Sequence, residues 1–162
     1  MTDAGRWEPR VAAVWRQASD GESVISQIDA LVDERPVDDP VAVYERASAR
    51  DFAGREAEAA PLYRRSLSLG LAEADRRRAV QATVQLASTL RLLGRPGEAL
   101  DAIDGAHVDL LDEERDWLTA FRALVLLDSG RADEAARSAL HALAGHLTQY
   151  AEVVRRYAAE AP

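Results

Sequence analysis

The sequence predicts an all-α solenoid: three stacked helical hairpins with helical caps at both ends. Three observations carry this. The four-residue signature Gly-Arg-x-x-Glu-Ala occurs at Gly54–Ala59, Gly94–Ala99 and Gly130–Ala135, at spacings of 40 and 36 residues. An alanine stands seven residues before each of these glycines, at Ala47, Ala87 and Ala123. Each glycine also lies between two stretches with apolar residues at helical spacing. Agreement at five positions in three copies marks a repeat architecture, in which each unit buries its apolar face only against its neighbours.

Residues 1–38 read as an N-terminal helical hairpin. A helix over 7–18 places Val11, Val14, Trp15 and Ala18 on one side; Asp20-Gly21 breaks it; a second helix over 22–34 repeats Val24, Ile25, Ile28, Leu31 and Val32. Gly21 lies 33 residues before Gly54 but lacks the signature, so the hairpin is either a cap or a degenerate fourth repeat. The linker Arg35-Pro36-Val37-Asp38-Asp39-Pro40 follows, with Asp39 as N-cap and Pro40 at the first helical position.

The repeats span about 39–70, 75–108 and 113–145 within 39–145. Their helices are expected over 40–52 and 56–69, then 75–93 and 96–107, then 113–129 and 132–144. Pro61 removes a hydrogen bond from the second of these helices. Asp75 is the expected cap of repeat two, and longer connections fall near Gly70–Arg78 and Val108–Glu114. Gly54, Gly94 and Gly130 each close a first helix in a left-handed conformation, which glycine adopts without a steric penalty. The alanines let paired helices approach, while Tyr63, Leu67, Leu86, Leu90, Ile103, Leu126 and Leu143 fill the space between them. A C-terminal capping helix within 146–162, over 147–160, carries the stripe Leu147, Tyr150, Val154 and Tyr157, which would close the stack.

The alanines of the two helices, the turn glycine and a last small residue at Ser66, Ala106 and Ala142 resemble the tetratricopeptide repeat, a helix-turn-helix unit of about 34 residues. The run from Asp39 to about Tyr157 looks most like the bacterial group-five branch of that family. The resemblance implies a right-handed α-α superhelix. The family's early tryptophan and closing proline are absent, and Arg46 and Arg50 occupy normally apolar positions.

At 162 residues the chain has the length of one domain. Its net charge of −8 argues against nucleic acid and anionic membranes as partners. Without cysteine it has no disulfide, thiolate nucleophile or cysteine metal site. The N-terminus carries acids and no apolar signal core, and no run of 18 apolar residues exists, so a cytoplasmic protein is expected. All basic residues are arginine, which GC-rich coding explains.

Nothing in the sequence supports catalysis. His141 and His146 are separated by a break near Gly145, and His107 ends another helix, so no metal site or cofactor is expected. The acidic cluster Asp112, Glu113, Glu114 and Asp116 suits the positive start of a helix. Arg76-Arg77-Arg78 reads as a solvated loop-to-helix junction. There is no phosphate-binding glycine loop or nucleophile elbow.

The family resemblance implies that each first helix lines a concave groove. The corresponding faces are Val41, Tyr44, Ser48, Asp51 and Phe52 in repeat one, Gln81, Val84, Ser88, Arg91 and Leu92 in repeat two, and Trp117, Ala120, Leu124, Leu127 and Asp128 in repeat three. The candidate partner-binding residues are Tyr44, Ser48, Asp51, Gln81, Gln85, Ser88 and Arg91. An adaptor that binds a protein, peptide or partner helix is the expected function; the alternative is a structural self-association module. A monomer or a weak homodimer is expected, whereas self-association predicts a concentration-dependent dimer or larger. Asp51 and Arg91, each three residues before a repeat glycine, are expected to form a direct or water-bridged ion pair across repeats one and two.

Overall fold

The structure is a computed structural model that describes residues 4–106 and 110–160, with side chains from Arg6 onward. Among these residues every regular element is a helix: α1 (Ala4–Arg16), α2 (Gly21–Val32), α3 (Pro40–Phe52), α4 (Glu56–Ser68), α5 (Leu71–Ala74), α6 (Arg76–Leu92), α7 (Pro96–Asp104), α8 (Asp112–Asp128), α9 (Ala132–Ala144) and α10 (Ala151–Glu160). Consecutive helices pack on one another, and α3, α6 and α8 also pack in sequence as neighbours.

The turns of the three signature hairpins share one geometry. Gly54, Gly94 and Gly130 have φ of 69°, 70° and 72°. The N–H of the arginine after each glycine bonds back five residues, to the carbonyls of Arg50, Leu90 and Leu126, all at 2.9 Å. This bond satisfies a carbonyl that the helix end would otherwise strand, and it sets the angle at which the second helix returns. A Cβ on any of the three glycines would meet nothing within 4 Å, so the backbone angle, not lack of room, selects glycine.

Three helix starts are capped by aspartate side chains. Asp39 accepts from the N–H groups of Val41 and Ala42, Asp20 from Ser23, and Asp75 from Arg78. α4 is continuous through Pro61. In the expected long connection after repeat one, Gly70 at φ 88° starts the short α5, which buries Leu71 completely. The segment containing His107 and Val108 lies outside the described residues.

Ala47, Ala59, Ala87 and Ala99 lie in one apolar core with Tyr63, Leu71, Leu86, Leu90 and Ile103, joined at the next layer by Leu118 and Val125. Ser66 is wholly buried, and its hydroxyl donates to the Pro40 carbonyl at 2.7 Å, tying α4 to the start of α3. A second core holds Trp7, Val11, Val24, Ile25, Ile28 and Leu31 against Ala42 and Ala49 of α3.

Three dimensions explain two features of the sequence and change two expectations. Gly21 makes no left-handed turn; it opens α2, where an added Cβ would lie 2.7 Å from the Ala53 side chain, so glycine there allows close approach. Arg46 and Arg50 sit in apolar repeat positions because both bond to Asp29 of α2, and Arg46 also reaches Asp33. The C-terminal stripe is displaced: Tyr150 adopts φ 65°, so α10 begins only at Ala151. Its inward positions are therefore Ala151, Val154 and Ala158, while Tyr150 and Tyr157 are 74% and 59% exposed. Among the described residues α10 packs on α9 alone, and Leu143 remains 52% exposed rather than interleaved.

Candidate functional site

α3 carries Tyr44, Ser48, Asp51 and Phe52 at spacings of four, three and one, which puts them along one side of the helix. α6 runs beside it and offers Gln81 and Gln85, one turn apart. Between the helices lies a cavity of about 480 Å³, walled by these six residues with Glu45, Arg78 and Trp15 of α1. A second cavity of about 330 Å³ shares Tyr44, Gln81 and Gln85 and continues to Val84, Trp117 and Phe121. The two form one groove across α3, α6 and α8.

The groove floor is held by polar contacts between helices. The Tyr44 hydroxyl donates to Gln81 Oε1 at 3.3 Å, and the Tyr44 and Tyr63 rings lie 6.1 Å apart. Glu45 is only 3% exposed. Its carboxylate accepts from Trp15 Nε1 at 2.7 Å and from Arg78 Nε at 3.0 Å. Burial pushes the Glu45 carboxyl above its ordinary value, with the Trp15 bond and the Arg78 charge opposing. Arg78 in turn reaches Glu8 of α1 and its own helix cap, Asp75. One guanidinium thus joins α1, α3 and α6.

Asp51 lies at the other end of the cavity. Burial raises its carboxyl too, offset in part by hydroxyl bonds from Thr89 and Tyr63. Thr89 Oγ1 lies 3.1 Å from Asp51 Oδ1 and Tyr63 Oη 3.2 Å from Oδ2.

Of the seven residues expected to bind a partner, Tyr44, Ser48, Asp51, Gln81 and Gln85 line this cavity; Ser88 and Arg91 do not. No direct ion pair joins Asp51 to Arg91. Arg91 Nη1 instead donates to Asp128 at 3.2 Å, because the arginine extends towards α8 rather than back to α3. Trp15, Glu45, Arg78 and Phe121 are groove residues that the sequence reading passed over. Trp15 belonged to a stripe that looked like cap packing, and Arg78 to a run that looked solvated. Arg76 of that run also faces inward, in two hydrogen bonds to the buried Glu114. Glu114 additionally accepts from the Leu111 N–H at the start of α8, in keeping with a helix-start role for the acidic cluster. Those contacts from Arg76 and Leu111 hold its carboxyl below the ordinary value.

A larger cavity, about 670 Å³, lies between α8, α9 and α10 and brings His141 and His146 to one space despite the break between them. Several of its polar side chains have partners: His146 with Asp116 at 2.7 Å, Arg122 with Asp104 at 3.2 Å, and Arg155 with Glu152 at 2.5 Å. Among the described residues no group of three His, Asp or Glu is placed to hold a metal ion, and no helix is long and apolar enough to cross a membrane.

A family model described as Tetratrico peptide repeat, of the group-five branch, matches residues 40–161. No curated protein and no solved structure matches the chain.

Proposed function

The chain belongs to the tetratricopeptide repeat family, and from that premise we propose that it is a protein-binding adaptor whose groove over α3, α6 and α8 seats a partner's peptide segment or helix. The observation that carries this reading is the continuity of the two cavities through Tyr44, Gln81 and Gln85. A groove with aromatic walls and amide side chains suits an extended or helical segment, held by a few anchors and by bonds to its backbone.

The test is selection of binders from a displayed random peptide library. Tyr44→Ala with Gln81→Ala should weaken a selected peptide at least tenfold, about 1.4 kcal/mol, with helical content retained by circular dichroism. Asp101→Ala, on the exposed side of α7, should leave binding unchanged. Equal losses from both would move the interface off the groove.

Self-association is favoured by a different observation. Leu140 and Leu143 on α9 and Tyr157 on α10 are exposed together at the C-terminal end, an arrangement suited to a second copy. Light scattering across a concentration series separates the readings. A mass that rises with concentration and reverts on Leu143→Glu favours self-association; a constant monomer mass removes it.

A further inference from the structure

The two carboxylates of the groove cavity are treated differently by the fold. Glu45 is held by Arg78 and Trp15. Asp51 has no cationic partner among the described residues; only two hydroxyls approach it. Each hydroxyl has a single proton and a rival acceptor. Thr89 Oγ1 is closer to the Gln85 carbonyl, at 2.7 Å, than to Asp51, and Tyr63 Oη also lies 3.4 Å from Ser48 Oγ. An ionised carboxylate accommodates about four such bonds, so Asp51 reaches the cavity with accepting capacity left over.

The surroundings select what would complete it. Trp15, Tyr44 and Phe52 line the same cavity, and Trp15 meets Phe52 edge-on at 6.0 Å. Arg78 is the cation in the lining, and Glu8, Glu45 and Asp75 already surround it. The cavity is therefore acidic and aromatic, with no free cation to bind an acidic group. A long apolar stem ending in a positive charge matches both properties: the stem lies along aromatic faces, and the charge meets a poorly satisfied carboxylate.

We propose that this cavity receives a lysine or arginine side chain from a peptide bound in the groove, with its charged end on Asp51 and its stem against Trp15, Tyr44 and Phe52. The proposal rests on the groove reading above and assigns the chemical class of its partner, a basic segment.

The experiment pans the random peptide library against the wild-type protein and against Asp51→Asn, then measures single peptides. Wild-type binders should share a lysine or arginine, and binders of the variant should lack that preference. In one selected peptide, replacing the basic residue by norleucine should weaken wild-type binding at least tenfold and leave binding to Asp51→Asn unchanged. Asparagine keeps the shape without the charge, so the variant should melt at or above the wild-type temperature at neutral pH, because burial disfavours the charged form of Asp51. A merely structural carboxylate would move the melting temperature without this coupling. Should the variant fold poorly, the norleucine comparison on the wild-type protein decides alone. Binders that depend on Tyr44 and Gln81 but show no basic preference, or no norleucine effect, overturn this inference and leave the groove reading standing. Binders insensitive to the groove variants, or no binders at all, overturn both.

Discussion

At Gly54, Gly94 and Gly130 a single backbone angle decides the residue. With nothing within 4 Å of an added Cβ, substitution there tests conformational strain without steric conflict. Gly94→Val should destabilise the protein by at least about 1 kcal/mol, since a β-branched residue is strained at positive φ. Asparagine, which tolerates that region, should cost less; thermal melts followed by circular dichroism compare the two. Glu45 presents a different balance. Arg78→Ala leaves a buried carboxylate without its charge partner, a change that costs about 3–5 kcal/mol in buried pairs. Burial raises the Glu45 carboxyl, so the folded protein takes up that proton at a higher pH than the unfolded chain. Its ionisation therefore lowers stability as pH rises from the unfolded carboxylate range through the raised value. The loss in Arg78→Ala should be largest at neutral pH and smaller in mild acid, as denaturant titrations at two pH values would read.

Among the elements, the α1–α2 hairpin lies outside the family match, which begins at residue 40. It is nevertheless built into the molecule. Gly21 lets it approach Ala53, Trp7 Nε1 donates to the Leu31 carbonyl at 2.8 Å, and Asp29 binds both Arg46 and Arg50. Asp29→Asn should weaken this docking by about 1 kcal/mol, the upper end for partly exposed pairs, and speed amide exchange in α2 more than in α6. The pH dependence has the opposite sign to that of Glu45. Burial works to raise the Asp29 carboxyl, but the Arg50 and Arg46 contacts prevail and hold it low. Its contribution is present above the unfolded aspartate value and is lost as pH falls through the depressed one. The hairpin should loosen at acid pH before the α6–α7 unit does.

The whole molecule carries a net charge of −8, and the groove places one of its acidic groups, Asp51, without a cationic partner among the described residues. Both features favour encounter with a basic segment, through long-range attraction that salt screens over about 8–10 Å. The affinity of a groove-selected basic peptide should fall as salt rises from about 0.05 M to 0.5 M, chiefly through a slower association rate in stopped-flow measurements. Salt-independent affinity would instead assign the binding to apolar contacts alone.

The sequence by itself determined the helices of the repeats, their hairpin turns and the small residues where helices touch. These depend on local rules: a left-handed turn favours glycine, a helix start is favoured by an oxygen at its cap, and close packing favours alanine. It also determined which face of α3 and α6 would carry Tyr44, Ser48, Asp51, Gln81 and Gln85, because helical spacing fixes the side on which a residue lies. Pairings between distant charges were settled only by the tertiary structure. Arg91 reaches Asp128 rather than Asp51, and Arg78 reaches Glu45 and Glu8, since a long side chain has several neighbours within reach and packing decides among them. Trp15 entered the groove only when α1 was placed against α3. Tyr150 shows the same limit within one helix: a left-handed residue just ahead of α10 leaves Tyr150 and Tyr157 exposed while Val154 stays inward, and no periodic count in the sequence contains that angle.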